Sequence, residues 1–186
     1  MVTRHESMPC ISNIVDVERY ESLDRLLMVT SYVLRFIKNC KVKLPLRDHD
    51  VINQAEINLA RNVWIKEVQT MILNDAKYMN GLMVSLGAYI DTDGFIRLKG
   101  RLEKSDVDCK TPILLPTKHY FTNLVIRDCH VKVLHSGMKD TLVELRGNYW
   151  VTKGRATVKR VVEACRLCRL YGFKLFKKEP AAPLPE

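Results

Sequence analysis

His130-Val131-Lys132-Val133-Leu134-His135, followed after 29 residues by Cys165-Arg166-Leu167-Cys168, decides how the C-terminal half of this chain folds. Two imidazoles and two thiolates form the donor set that a zinc ion takes up as a tetrahedron. Four protein ligands leave no open coordination position, so the expected metal is one structural Zn2+ per chain, held by His130, His135, Cys165 and Cys168. The histidines come first, and the gap between the pairs has room for two helices. On a helix Cys165 and Cys168 lie roughly 60° apart. Val158, Val161 and Val162 share that face, so a continuous helix would turn the thiols toward the core. The histidines would stand roughly 140° apart on an unbroken helix. Both reach one metal only if the helix stops, and Ser136-Gly137 is the expected stop. Cys129, next to His130, is the rival ligand. His5, His49 and His119 read as ordinary histidines, and Cys10, Cys40 and Cys109 as small buried or half-exposed thiols.

The chain has 186 residues, enough for one domain or two small ones, with 47% hydrophobic and 27% charged residues. Six cysteines in this length do not make a disulfide scaffold. The first residues contain no apolar run, and no stretch approaches the ~20 apolar residues of a membrane span. A nuclear or cytoplasmic protein is therefore expected, with neither a membrane nor a small-molecule substrate as partner. The net charge of +9 is concentrated: between Arg146 and Lys178 there are ten Lys or Arg and one acid, Glu163. Such a window points to a polyanion, most simply nucleic acid. The residues expected to meet its phosphates are Arg146, Lys153, Arg155, Lys159, Arg160, Arg166, Arg169 and Lys174. The competing reading is a solvated helix face with a basic tail.

Apolar periodicity predicts a mainly α chain with a small antiparallel sheet. Helices are expected at about 16–39, 51–73 and 76–86, forming a helical region over 1–88. Tyr89 to Leu98 reads as strand, turn and strand around Asp93-Gly94. Gly100 ends the second strand, and Pro112–Pro116 adds a third, giving a hairpin extension over 89–116. Thr117 is the expected N-cap of a helix to about Cys129, opening a zinc-stabilised module over 117–178. A short helix follows at 138–146. Tyr149 and Trp150 read as core anchors, and Thr157 as the cap of a last helix carrying both cysteines. Prolines 180, 183 and 185 make 179–186 an extended linker.

The series His130-x4-His135-Ser136-Gly137, Thr141-Leu142, Leu145-Arg146, Tyr149-Trp150, Gly154-Arg155, Val158 and Cys165-x2-Cys168 resembles the zinc-binding HHCC (H2C2) module of retroelement integrases. It is most like that of BEL/Pao LTR retrotransposon polyproteins. Upstream, Asp16-Val17-Glu18-Arg19-Tyr20 with Leu26–Phe36 looks like the connector after the ribonuclease H region. Asp93-Gly94 with Gly100-Arg101-Leu102 resembles the hairpin that precedes the zinc module. The similarity extends over about 14–186 and is strongest over 89–170. It implies a module that helps to hold element DNA ends and assists multimer formation, making a homo-oligomer possible. In the family a proline-bearing linker leads into a catalytic core with three metal-binding acids. No catalytic residue is expected in this chain. Two other readings stand beside this one: a zinc-stabilised protein-interaction or multimerisation module, and a non-functional fragment of a degraded element.

Overall fold

The computed structural model describes residues 10–99 and 111–171. Gly100, Arg101, Leu102, Cys109, Lys174 and the 179–186 linker lie outside the described residues. Helix α1 spans Leu23–Cys40 and α2 spans Gln54–Leu73. The expected start of the first helix at Asp16 is instead a short 3-10 turn, Val17–Arg19, with the Asp16 carboxylate accepting from the Glu18 amide. Helix α2 starts three residues later than expected because Asn53 and Glu56 form a reciprocal capping box. Helix α3, Ala76–Leu86, has the bounds the sequence predicts. Asp75 caps it, and Gly87 ends it at φ 63°.

α1 and α2 pack through Trp64, which is fully buried. Its indole N–H donates to Thr30 Oγ1 at 2.9 Å, and the Thr30 hydroxyl donates to the Leu26 carbonyl. The Arg35 guanidinium donates to the Glu56 carboxylate across the same helix pair. That pairing, with the Asn53 amide, holds Glu56 below the usual carboxylate range.

Strands β1 (Ala88–Ile90) and β2 (Ile96–Leu98) pair antiparallel around a turn in which Gly94 has φ 82°. Asp91 Oδ1 accepts from the Asp93 and Phe95 amides. Strand β3 (Ile113–Leu115) pairs antiparallel with β2. The sheet then departs from the expected hairpin extension. Tyr149–Val151 is a fourth strand, β4, parallel to β3 with Leu114 opposite Trp150. Parallel neighbours need a long crossover. The connection supplies it with α4 (Tyr120–Lys132) and α5 (Met138–Asn148). Tyr149 and Trp150 are half-buried sheet residues that pack against the core.

Alternation along the sheet separates two apolar clusters. Leu115 and Val151 join the main core with Leu26, Trp64, Phe121 and Val158. Leu114 and Trp150 face a smaller cluster with Ile72, Leu82 and Ile96. Gln69 of α2 fastens the sheet, donating to the carbonyls of Ile96 and Leu114 and accepting from the Ile96 amide.

Candidate metal centre

Helix α4 begins at Tyr120, and its cap is His119, whose Nδ1 accepts from the Phe121 amide at 3.1 Å. Burial holds that imidazole below its ordinary pKa and keeps it a neutral acceptor. Thr117, the expected cap, instead donates its hydroxyl to the Thr152 carbonyl at 2.6 Å, tying the α4 entry to the end of β4. At the other end, the helix stops before Ser136-Gly137. The Leu134 amide donates to the Val131 carbonyl, and the His135 amide to the His130 carbonyl at 3.0 Å. This is a Schellman closure, with Leu134 at φ 50° in the position that favours glycine. One metal ligand thus hydrogen-bonds the other through the backbone, and the reversal carries His135 back over His130. Their rings meet edge to face at 4.5 Å.

The cysteines come from a broken helix, not the continuous one the spacing suggests. Helix α6 is Gly154–Glu163 and α7 is Arg166–Tyr171, with Cys165 at the junction and Cys168 in the first turn of α7. Val158, Val161 and Val162 enter the core as expected. Both thiols are half-buried beside the histidines. Lys153, at φ 56°, is the N-cap of α6, and Thr157 lies inside the helix with its hydroxyl bonded back to the Lys153 carbonyl.

The ligand atoms of His130, His135, Cys165 and Cys168 all lie within 4.8 Å of one another. His130 Nε2 is 3.1 Å from Cys168 Sγ, and His135 Nδ1 is 3.5 and 3.6 Å from the two sulfurs. In a zinc tetrahedron with ordinary bond lengths the N···S edge is about 3.6 Å. The four residues form a structural zinc site, with two nitrogens and two sulfurs closing the coordination sphere.

Thr141 supplies an outer contact that the sequence reading missed. Its hydroxyl donates to the Gly137 carbonyl at 2.7 Å and lies 3.0 Å from His130 Nδ1. A hydroxyl has one proton and the carbonyl takes it, so His130 Nδ1 is the donor in the second bond. That fixes the tautomer with the Nε2 lone pair free for metal. Burial, and then the charge of His135, hold His130 below its ordinary pKa, which also favours the ligating form. The sequence signal was a threonine four residues after Gly137, at the spacing of a back-bonded helix hydroxyl.

Cys129 is not among the four. It is buried in the main core, and burial pushes its thiol up to about 11. Of the thiols read as buried or half-exposed, Cys10 and Cys40 are on the exposed side. Arg155, Lys159 and Arg160 lie exposed on α6, and Arg166 and Arg169 on α7. Arg160 donates to Asn123 Oδ1, and Lys159 lies 3.7 Å from Glu163. The Arg146 guanidinium stacks 5.4 Å from the Trp150 ring centre. Arg146, Lys153 and Arg155 line one cleft with Trp150, between α5 and α6.

Residues 118–172 match the family model of the integrase zinc binding domain. The matched segment contains all four metal ligands, Thr141 and the α4–α7 framework. This domain is an accessory module of integrases and not their catalytic core. No curated protein and no solved structure matches the chain. No helix of the described residues is long and apolar enough to cross a membrane.

Proposed function

We propose that this chain is the zinc-binding accessory part of a retrotransposon integrase of the BEL/Pao type, contacting nucleic acid through phosphate and supporting assembly on DNA. The match of residues 118–172 to the integrase zinc binding domain carries the reading. In it, residues 1–88 are a helical connector, 89–116 a hairpin extension and 117–178 the zinc module. The work is nuclear or cytoplasmic. Catalysis belongs to a separate core; zinc with four protein ligands has no position for water and only fixes the helices. The cations on α6 and α7, with Arg146 and Lys153 beside Trp150, then meet the polyanion. Lys174 continues this set beyond the described residues.

Phosphate contacts set position and affinity without reading sequence. Duplex binding should therefore weaken steeply with salt. With about six neutralised phosphates, the slope of log K against log salt is about −5. The test is Arg155→Glu, Lys159→Glu and Arg166→Glu together. These exposed residues should leave zinc content and circular dichroism unchanged while duplex retention is lost. Salt-independent binding, or retention by the triple variant, would sink the proposal.

A further inference from the structure

The cleft between α5 and α6 differs in chemistry from the rest of the basic surface. Its volume is about 490 Å3, within the ~300–1,000 Å3 of sites that enclose small organic groups. Leu86, Leu142 and Trp150 line it and are only half-buried, beside buried Leu145 and Val151. The cations Arg146, Lys153 and Arg155 line it too, and all three are exposed. Among the described residues no acid lines it. In the larger cleft around Arg61, by contrast, Asp128 and Glu144 stand among the cations.

The three cations are also unspent. Lys159 approaches Glu163 and Arg160 donates to Asn123, whereas Arg146, Lys153 and Arg155 form no ion pair among the described residues. Arg146 instead lies over the Trp150 ring, 5.4 Å from its centre. A planar guanidinium held against an indole on one face offers its other face as a stacking platform. An apolar wall surrounded by unpaired cations calls for a ligand that is flat and apolar in one part and anionic in another. A duplex keeps its base faces stacked inside the helix, so its phosphates reach the cations and leave the wall wet. An unpaired base with phosphate on either side meets both.

We propose that this cleft receives an unpaired base of a single-stranded nucleic acid, stacked on Arg146 over Trp150, with the flanking phosphates on Lys153 and Arg155. The inference rests on the phosphate-contacting reading above and adds to it a preference for strands with free base faces.

The test compares three probes on the zinc-loaded full chain at one salt concentration. They are a thymidine oligonucleotide of about 12 nucleotides, an abasic strand of the same length, and a duplex of that length. The thymidine strand should bind at least about fivefold more tightly than the abasic one, the share of one stacked base, and should change the Trp150 emission. Arg146→Lys keeps the charge and removes the planar face. It should remove most of that preference, weakening the thymidine strand at least about fivefold more than the abasic strand or the duplex, with zinc content and circular dichroism unchanged. A uridine oligonucleotide run in parallel tells which strand the cleft takes: the proposal holds where either strand shows both effects and is overturned where neither does. Equal binding of thymidine and abasic strands, with the duplex still retained, overturns this inference and leaves the phosphate reading standing. Failure to retain any of the probes overturns both.

Discussion

Thr141 governs a proton that the metal depends on. Thr141→Ala leaves His130 Nδ1 without its acceptor, so the ligating tautomer and ring orientation are no longer imposed. Zinc affinity should fall about 10–100-fold, measured by competition with a chromophoric chelator, while Thr141→Ser should stay near the parent. Leu134 is a second point of control. It is 85% exposed and at φ 50°, so its side chain gains little packing where left-handed backbone costs roughly 1–2 kcal/mol. Leu134→Gly should raise stability by up to about 1 kcal/mol in thermal unfolding, with the His135-to-His130 backbone bond kept; a loss would show that leucine contributes there. The ligands were legible in the sequence because coordination chemistry restricts residue type and spacing together. The split of the last helix was not, since the break at Cys165 has no glycine or proline to mark it.

The helices were read more securely than the sheet. Apolar periodicity located α2 and α3, and a glycine at positive φ marked the end of α3. The N-termini moved where a side chain competed for the cap, as His119 did over Thr117. Strand β4 escaped notice because three residues carry almost no alternation, and its partner precedes it by more than 30 residues. The Gln69 clasp was invisible for a related reason: a polar residue within an apolar helix has no sequence signature of its three sheet contacts. Gln69→Leu should cost about 2–4 kcal/mol in urea unfolding, because the Ile96 amide and two buried carbonyls lose their side-chain partner. A change below about 0.5 kcal/mol would mean water or backbone replaces all three bonds.

Across the whole molecule, Trp64 stacks on Phe121 at 6.0 Å, joining α2 to the helix that carries His130. Structural zinc contributes about 10–16 kcal/mol of apparent binding energy, comparable to or above the ~5–15 kcal/mol stability of a domain. Chelation should therefore alter Trp64 fluorescence as well as helical content, with Trp150→Phe used to isolate the Trp64 signal. Unchanged emission would mean that the two halves respond to the metal separately. Acid should act in two stages. His130 is held below its ordinary value, so its contribution is present above about pH 6.5 and is lost as pH falls through its folded pKa. Glu56 is lowered by Arg35 and the Asn53 amide; Asp91 is lowered because Arg97 and the loop amides outweigh the upward push of burial. Both carboxylates stabilise above about pH 4 and lose that effect as pH falls through their folded values. Circular dichroism followed against pH should show a first loss with zinc release and a second below about pH 4.

Strand β4 lies between the histidine pair and the cysteine pair along the chain. When zinc joins His135 to Cys165 it closes a covalent ring of chain, and one edge strand of the sheet is a segment of that ring. Opening the ring frees the intervening segment to explore many more arrangements, and the short register of β4 on β3 has to resist that gain in freedom. Metal occupancy is thereby recorded at a distance: amide exchange of the β3–β4 pairing should quicken on chelation before that of the α2 core, making the outer border of the sheet a gauge of a metal it never touches.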